Sequence, residues 1–94
     1  MTGNDGQAEL EVTISNVQGL HARPVMRFVD LASTFQSALR ICRKADGKSV
    51  DAKSQMMLLE GVKGTVFRIC ATGPDAQQAV GALAELINSK FGED

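Results

Sequence analysis

The chain has 94 residues, enough for one domain with a single modest core. Its 44% hydrophobic and 22% charged residues argue against disorder, and a net charge of −1 argues against a nucleic-acid binder. No apolar run approaches the roughly 20 residues that span a bilayer, and the polar start lacks the basic and apolar regions of a signal peptide, so the expectation is a cytoplasmic protein with no membrane insertion.

The domain is expected to cover 1–94, with residues 1–7 as a flexible tail. Leu10, Val12 and Ile14 then alternate with Glu9, Glu11, Thr13 and Ser15, the pattern of a half-buried strand. Asn16 to Gly19 reads as a loop. From Ala22 to about Phe35 the period becomes helical: Val25, Phe28, Val29, Ala32 and Phe35 share one face, and Pro24 falls in the first turn, where a missing N–H is harmless. Ala38 to Lys44 alternates again. Asp46-Gly47 is a hairpin signal, with Lys48 to Asp51 as the short return strand.

Ala52-Lys53-Ser54 leads into a short apolar segment, Met56 to Leu59, read as a second helix with Ser54 as its cap and Met57 facing the core. Thr65 to Ala71 is a strand with Phe67, Ile69 and Ala71 on one face. Thr72-Gly73-Pro74-Asp75 starts a last helix, striped by Ala76, Val80, Leu83, Leu86 and Ile87, and Phe91 is expected to fold back. The order β-α-β-β-α-β-α, with one apolar face per strand, implies an α+β fold. It is expected to be a two-layer open-faced sandwich with three helices on one sheet face and the other face wet.

Cys42 and Cys70 have no CxxC spacing and no nearby histidine, so they read as reduced thiols rather than a zinc site. If their strands are neighbours, the two could share the outer sheet face, where a cross-strand disulfide is conceivable on oxidation.

Chemistry concentrates in Gly19-Leu20-His21-Ala22-Arg23-Pro24. His21 is the only histidine and stands at the expected start of a helix. A first helical turn offers unpaired N–H groups and the positive end of the dipole, a combination that binds phosphate. A neutral imidazole is a competent nucleophile toward phosphorus. Arg23 adds a two-donor guanidinium, and the Ala22 and Arg23 amides complete the cradle. On these grounds alone a surface or capping histidine is the competing reading.

The same stretch resembles the active-site signature of the HPr family, phosphocarriers of the phosphoenolpyruvate-dependent phosphotransferase system. Gly47-Lys48-Ser49-Val50-Asp51-Ala52-Lys53-Ser54 resembles that family's second signature, and Gly64 and Ala71-Thr72-Gly73-Pro74-Asp75-Ala76 resemble its last strand and turn. The resemblance runs from about Leu10 to Phe91. It implies a four-stranded antiparallel sheet of order 1-4-2-3. It also implies that enzyme I phosphorylates His21 at Nδ1 and that His21 passes the phosphoryl group to an EIIA domain. The carrier would be monomeric, without metal or cofactor and without turnover of its own.

Ser54 matches the serine that a dedicated HPr kinase/phosphorylase modifies in some members. Met26, Arg27, Gln55 and Met56 fall on the implied docking surface, with Met26, Met56 and Met57 as an adaptable apolar patch. The chain departs from the pattern there. Its Ser54–Gly64 interval is short, Gln55 replaces an apolar residue, and Asp30 and Ser33 stand where basic residues are common. Sugar uptake is therefore the first expectation and a regulatory branch, of nitrogen type or catabolite type, the second. A third is an interaction module that keeps the fold without phosphorylation.

Overall fold

The computed structural model describes residues 6–16, 19–20, 22–56 and 59–92. The elements are β1 (Gly6–Thr13), α1 (Ala22–Ala32), β2 (Ala38–Arg43), β3 (Ser49–Asp51), β4 (Val66–Gly73) and α2 (Ala76–Asn88), followed by a single turn at Lys90–Gly92. The four strands form one antiparallel sheet in the order β1-β4-β2-β3, as the resemblance implied.

The register explains why one sheet face is apolar. Leu10 pairs with Ile69, Ile69 with Ile41, and Ile41 with Val50, so a single row of aliphatic side chains crosses all four strands. Side chains alternate along a strand, so the rows on either side of it turn to the opposite face. Phe67, Ile69 and Ile41 have no exposed surface, and they pack in one cluster with Val25, Phe28 and Ala32 of α1 and Ala79, Leu83 and Ile87 of α2. Both helices cover that face. The other face carries Glu9, Glu11, Arg40 and Arg68 to water.

Three boundaries moved. Gly6 and Gln7, assigned to the tail from sequence, pair with Gly73 and Thr72, because β4 runs on to Gly73 and supplies the ladder. Residues 1–5 lie outside the described ones. The first helix stops at Ala32 rather than Phe35, tightening through Thr34 N–H to the Leu31 carbonyl and Phe35 N–H to the Ala32 carbonyl. Phe28, Phe67 and Phe91 are fully buried, whereas Phe35, past the helix end, is half-buried.

The expected second helix is the main correction: among the described residues there are two α-helices and a terminal turn, not three helices. Ala52–Ser54 is a turn. Asp51 organises it. Its Oδ1 accepts from Lys53 N–H, its carbonyl accepts from Ser54 and Gln55 N–H, and its own N–H donates to Gln55 Oε1. The bonds to the Asp51 carbonyl have helical spacing, but among the described residues they amount to a single turn, below what a stable helix needs. The segment is short, and the buried Met56 and Leu59 tie it to the core at both ends. Ser54 therefore caps no α-helix among the described residues. Met57, expected in the core, lies outside the described residues.

Candidate functional site

The chain reaches the histidine through a loop pinned at two levels. Gly19 N–H donates to the Asn16 carbonyl at 3.1 Å, and Asn16 Nδ2 donates to the Gly19 carbonyl at 2.7 Å. Asn16 is 1% exposed, and its Oδ1 has no hydrogen-bond partner among the described residues. One residue on, Leu20 N–H donates to the Gly61 carbonyl at 2.7 Å. Gly19 has φ +67° and lies against Gly61 and Val62, with no room for a Cβ. Gly61 in turn leaves space for the Phe67 ring and Leu20.

The 61–65 segment is anchored to β1 by Gly64 N–H to the Ile14 carbonyl at 2.7 Å and Ile14 N–H to the Thr65 carbonyl at 2.9 Å. The position of residues 19–20, which lead to the candidate histidine, is thus set by the β1 end and by the approach to β4, which are adjacent strands. Sequence reading did not single out Asn16 or Gly61. An Asn followed three residues later by Gly is a turn signature that marks the first, whereas the second depends on a tertiary approach that no local pattern encodes.

His21 itself lies outside the described residues. Directly after it, α1 begins at Ala22. Its first turn holds Ala22, Arg23 and Pro24 and contains no acidic side chain, so no carboxylate there offsets the positive end of the dipole. Ala22 and Arg23 are exposed, while Pro24 is buried and seats the turn on the core. The structure thus places the two candidate amides and the Arg23 side chain at the solvent-facing start of a helix, where an anion can approach.

The remaining site residues separate into two groups. Met26, on α1, is 62% exposed and lines a shallow groove with Val25, Val29, Asp30, Lys53 and Ser54. Ser54 and Gln55 are exposed. Lys53 is held by a 2.7 Å bond from Nζ to the Phe35 carbonyl. Met56 does not belong to an exposed patch: it is 1% exposed and forms the groove floor, because it packs into the core between Val50 and Leu59 in sequence. Of the three methionines expected to form a patch, Met26 is the one the structure describes as exposed. Arg27 turns the other way. Its Nη1 donates to the Phe91 carbonyl at 2.7 Å and holds the terminal turn, in which Lys90, Phe91 and Gly92 all have positive φ.

Two carboxylates are tuned away from the groove. Asp75 occupies the N-cap position of α2, but its side chain makes no capping bond. Its oxygens accept from Gln36 N–H and Ser37 N–H at 2.9 Å and from the Ser37 hydroxyl. The Ser37 hydroxyl, then the Gln36 amide, hold its carboxyl below the ordinary range. Asp46 sits at about 2, lowered first by the Arg43 guanidinium and then by the Lys48 amide. Both bonds fasten turns.

Comparison with known proteins places this arrangement. The family model of the PTS HPr component phosphorylation site matches residues 8–89. The chain is 43% identical over 88 residues to the phosphocarrier protein HPr of Xylella fastidiosa, covering 92% of this chain and 97% of that protein. It is 39% identical over 85 residues to the phosphocarrier protein NPr of Proteus mirabilis, covering 88% and 93%. Among solved structures, HPr-C-His from Thermoanaerobacter tengcongensis superposes with a TM-score of 0.86 at 43% identity, covering 93% of this chain and 98% of that one.

Proposed function

The chain belongs to the HPr family of phosphotransferase-system phosphocarriers, and from that premise we propose that His21 accepts a phosphoryl group from phosphorylated enzyme I and delivers it to an EIIA domain. The observation that carries this reading is the start of α1 at Ala22, immediately after the only histidine, with no acidic side chain in its first turn. The neutral imidazole attacks the phosphorus as the bond to the enzyme I donor breaks. The transferred group then lies at the positive end of the helix, where the first-turn amides and the Arg23 guanidinium meet its charge. Delivery to the acceptor reverses these steps, and the protein takes part as a stoichiometric carrier. The working species is a monomer in the cytoplasm, which sedimentation velocity and fractionation test.

The docking surface of this reading is the groove between α1 and the 53–56 turn. Met26 is its exposed apolar point, Arg23 and Lys53 supply positive charge, and Asp30 opposes an acidic partner. A phosphate on Ser54 would add nearly two negative charges on the same rim as Asp30 and weaken docking further.

A second reading, transfer within a regulatory branch rather than sugar uptake, is supported by Asp30 on this rim, by the exposed Gln55 beside Ser54, and by relatives named NPr beside those named HPr. The test for both is incubation with phosphoenolpyruvate, magnesium and cognate enzyme I, followed by intact mass. A single acid-labile phosphoryl gain, absent in His21→Ala, is the expected result, and no gain overturns the proposal. Competition between a sugar-type and a regulatory-type EIIA for the charged protein then separates the branches.

A further inference from the structure

The open face of the sheet carries a pair of thiols that phosphoryl transfer leaves unused. Cys42 on β2 and Cys70 on β4 are free and half-buried. Their strands are antiparallel neighbours in which Cys70 lies opposite Arg40 and Cys42 opposite Arg68. The thiols are therefore diagonal neighbours, and both sit on the face opposite the buried Leu39, Ile41 and Ile69.

Diagonal positions in such a pair are about 7–8 Å apart at Cα, wider than the roughly 4.4–6.8 Å that a disulfide spans. The cross-strand disulfide conceivable from sequence thus requires a change of register. A bridging atom does not: two sulfur–metal bonds of about 2.3 Å each extend the reach across the diagonal. No third His, Cys, Asp or Glu completes a group with them among the described residues, so the coordination on offer is two sulfurs. Two-sulfur coordination suits soft centres.

Arg40 and Arg68, opposite the two thiols, provide positive charge for the dithiolate that such a centre needs. Arg68 is itself steadied by Glu9 at 3.9 Å. Burial, then Glu9, push the Cys70 thiol up, so it rests protonated and unreactive until a centre displaces the proton.

We propose that Cys42 and Cys70 form a two-sulfur site for a soft, thiophilic centre, a trivalent arsenical or a monovalent cation of the copper class, on the sheet face turned away from α1 and α2. With an arsenical oxide, two As–S bonds form and two S–H bonds break. The oxide oxygen leaves with both protons as water, with no change of oxidation state. With the cation, two thiol protons pass to the buffer.

The site goes beyond the carrier function and does not depend on it, and phosphorylation of His21 serves as an internal check that each variant is folded. The experiment is titration of the full chain with phenylarsine oxide, read by native intact mass under excess glutathione, on wild type, Cys42→Ser and Cys70→Ser. The expected result is one phenylarsenic group per chain in wild type. Retention against glutathione falls on the order of a hundredfold in either variant, as loss of a chelate predicts, while phosphorylation by enzyme I is unchanged in all three. A second arm replaces the arsenical with monovalent copper under a competing chelator. Capture that needs both cysteines assigns the site to a cation, and capture of the arsenical alone assigns it to a metalloid. Equal retention by the single-serine variants, or arsenical uptake accompanied by loss of the native fold, overturns the proposal.

Discussion

Replacing Gly19 by Ala separates backbone strain from a close approach, because Gly47 provides the matched control. Both glycines have positive φ, +67° and +73°. A Cβ on Gly47 meets nothing within 4 Å, whereas one on Gly19 runs into Gly61 and stands 2.9 Å from Val62 Cα. Gly47→Ala should therefore cost only the left-handed penalty of about 1 kcal/mol. Gly19→Ala carries the same penalty and must also push the 61–62 backbone away. That adds about 1–2 kcal/mol of overpacking and weakens the Leu20–Gly61 hydrogen bond, worth about 1 kcal/mol. The expected total is about 3 kcal/mol against about 1.

For a domain of 94 residues, thermal unfolding should show midpoint losses of roughly 15 °C and 5 °C. Phosphoryl transfer by folded Gly19→Ala protein should be slower by on the order of tenfold or more, since a small displacement of a reactive loop is expensive. Gly47→Ala, far along the chain in the β2–β3 hairpin, should transfer at the wild-type rate. Midpoints for the two variants that agree within about 0.5 kcal/mol would refute the reasoning that the 19–20 loop is buttressed by 61–62.

Arg27→Gln removes the bond to the Phe91 carbonyl and should cost about 1 kcal/mol, with faster amide exchange confined to the terminal turn. Unchanged exchange there would show that the turn stands without the arginine. Met26→Glu should leave the unfolding midpoint nearly unchanged, because the side chain is mostly exposed, yet slow transfer to an acidic acceptor roughly tenfold; stopped-flow transfer kinetics decide this.

Asp75→Asn tests linkage. The Asp75 carboxyl is lowered in the folded state, so its stabilisation is fully present above the ordinary carboxylate pKa of about 3.9. It is lost as pH falls through the lower folded value. Urea unfolding should show the variant weaker than wild type at neutral pH and the gap closing toward strongly acid pH. A gap independent of pH would assign the role of Asp75 to packing alone.

The sheet was legible because its code is short-range. Alternation in Val12–Ile14, Leu39–Ile41 and Phe67–Ala71 states which face is buried, and Asp46-Gly47 states where the chain reverses. The helical stripe of Ala76 to Ile87 was equally direct. The segment after Asp51 was not. Its apolar spacing suits a short helix, but the helix-type bonds to the Asp51 carbonyl close one turn only, and the Asp51 carboxylate and the Gln55 side chain fasten that turn in place.

The site was half legible. The residue types around His21 announce anion chemistry, whereas the pinning of its loop by the Gly61 carbonyl joins Leu20 to a residue 41 positions later, adjacent only through β1–β4 pairing. Met56 was read as a docking residue because a flexible side chain suggests one, and Arg27, which is exposed, was read as one because of its charge. The core claims the methionine, and the arginine, still at the surface, gives one Nη1 donor to the Phe91 carbonyl.

The central claim is that the phosphoryl group resides on the imidazole of His21. With only one histidine in the chain, 15N-histidine labelling puts every labelled signal on that residue. Phosphorus and nitrogen magnetic resonance after addition of phosphoenolpyruvate and enzyme I should show a phosphorus signal coupled to one ring nitrogen, discharged when EIIA is added. A phosphorus signal without nitrogen coupling, or no signal with the cognate enzyme I, would contradict the account.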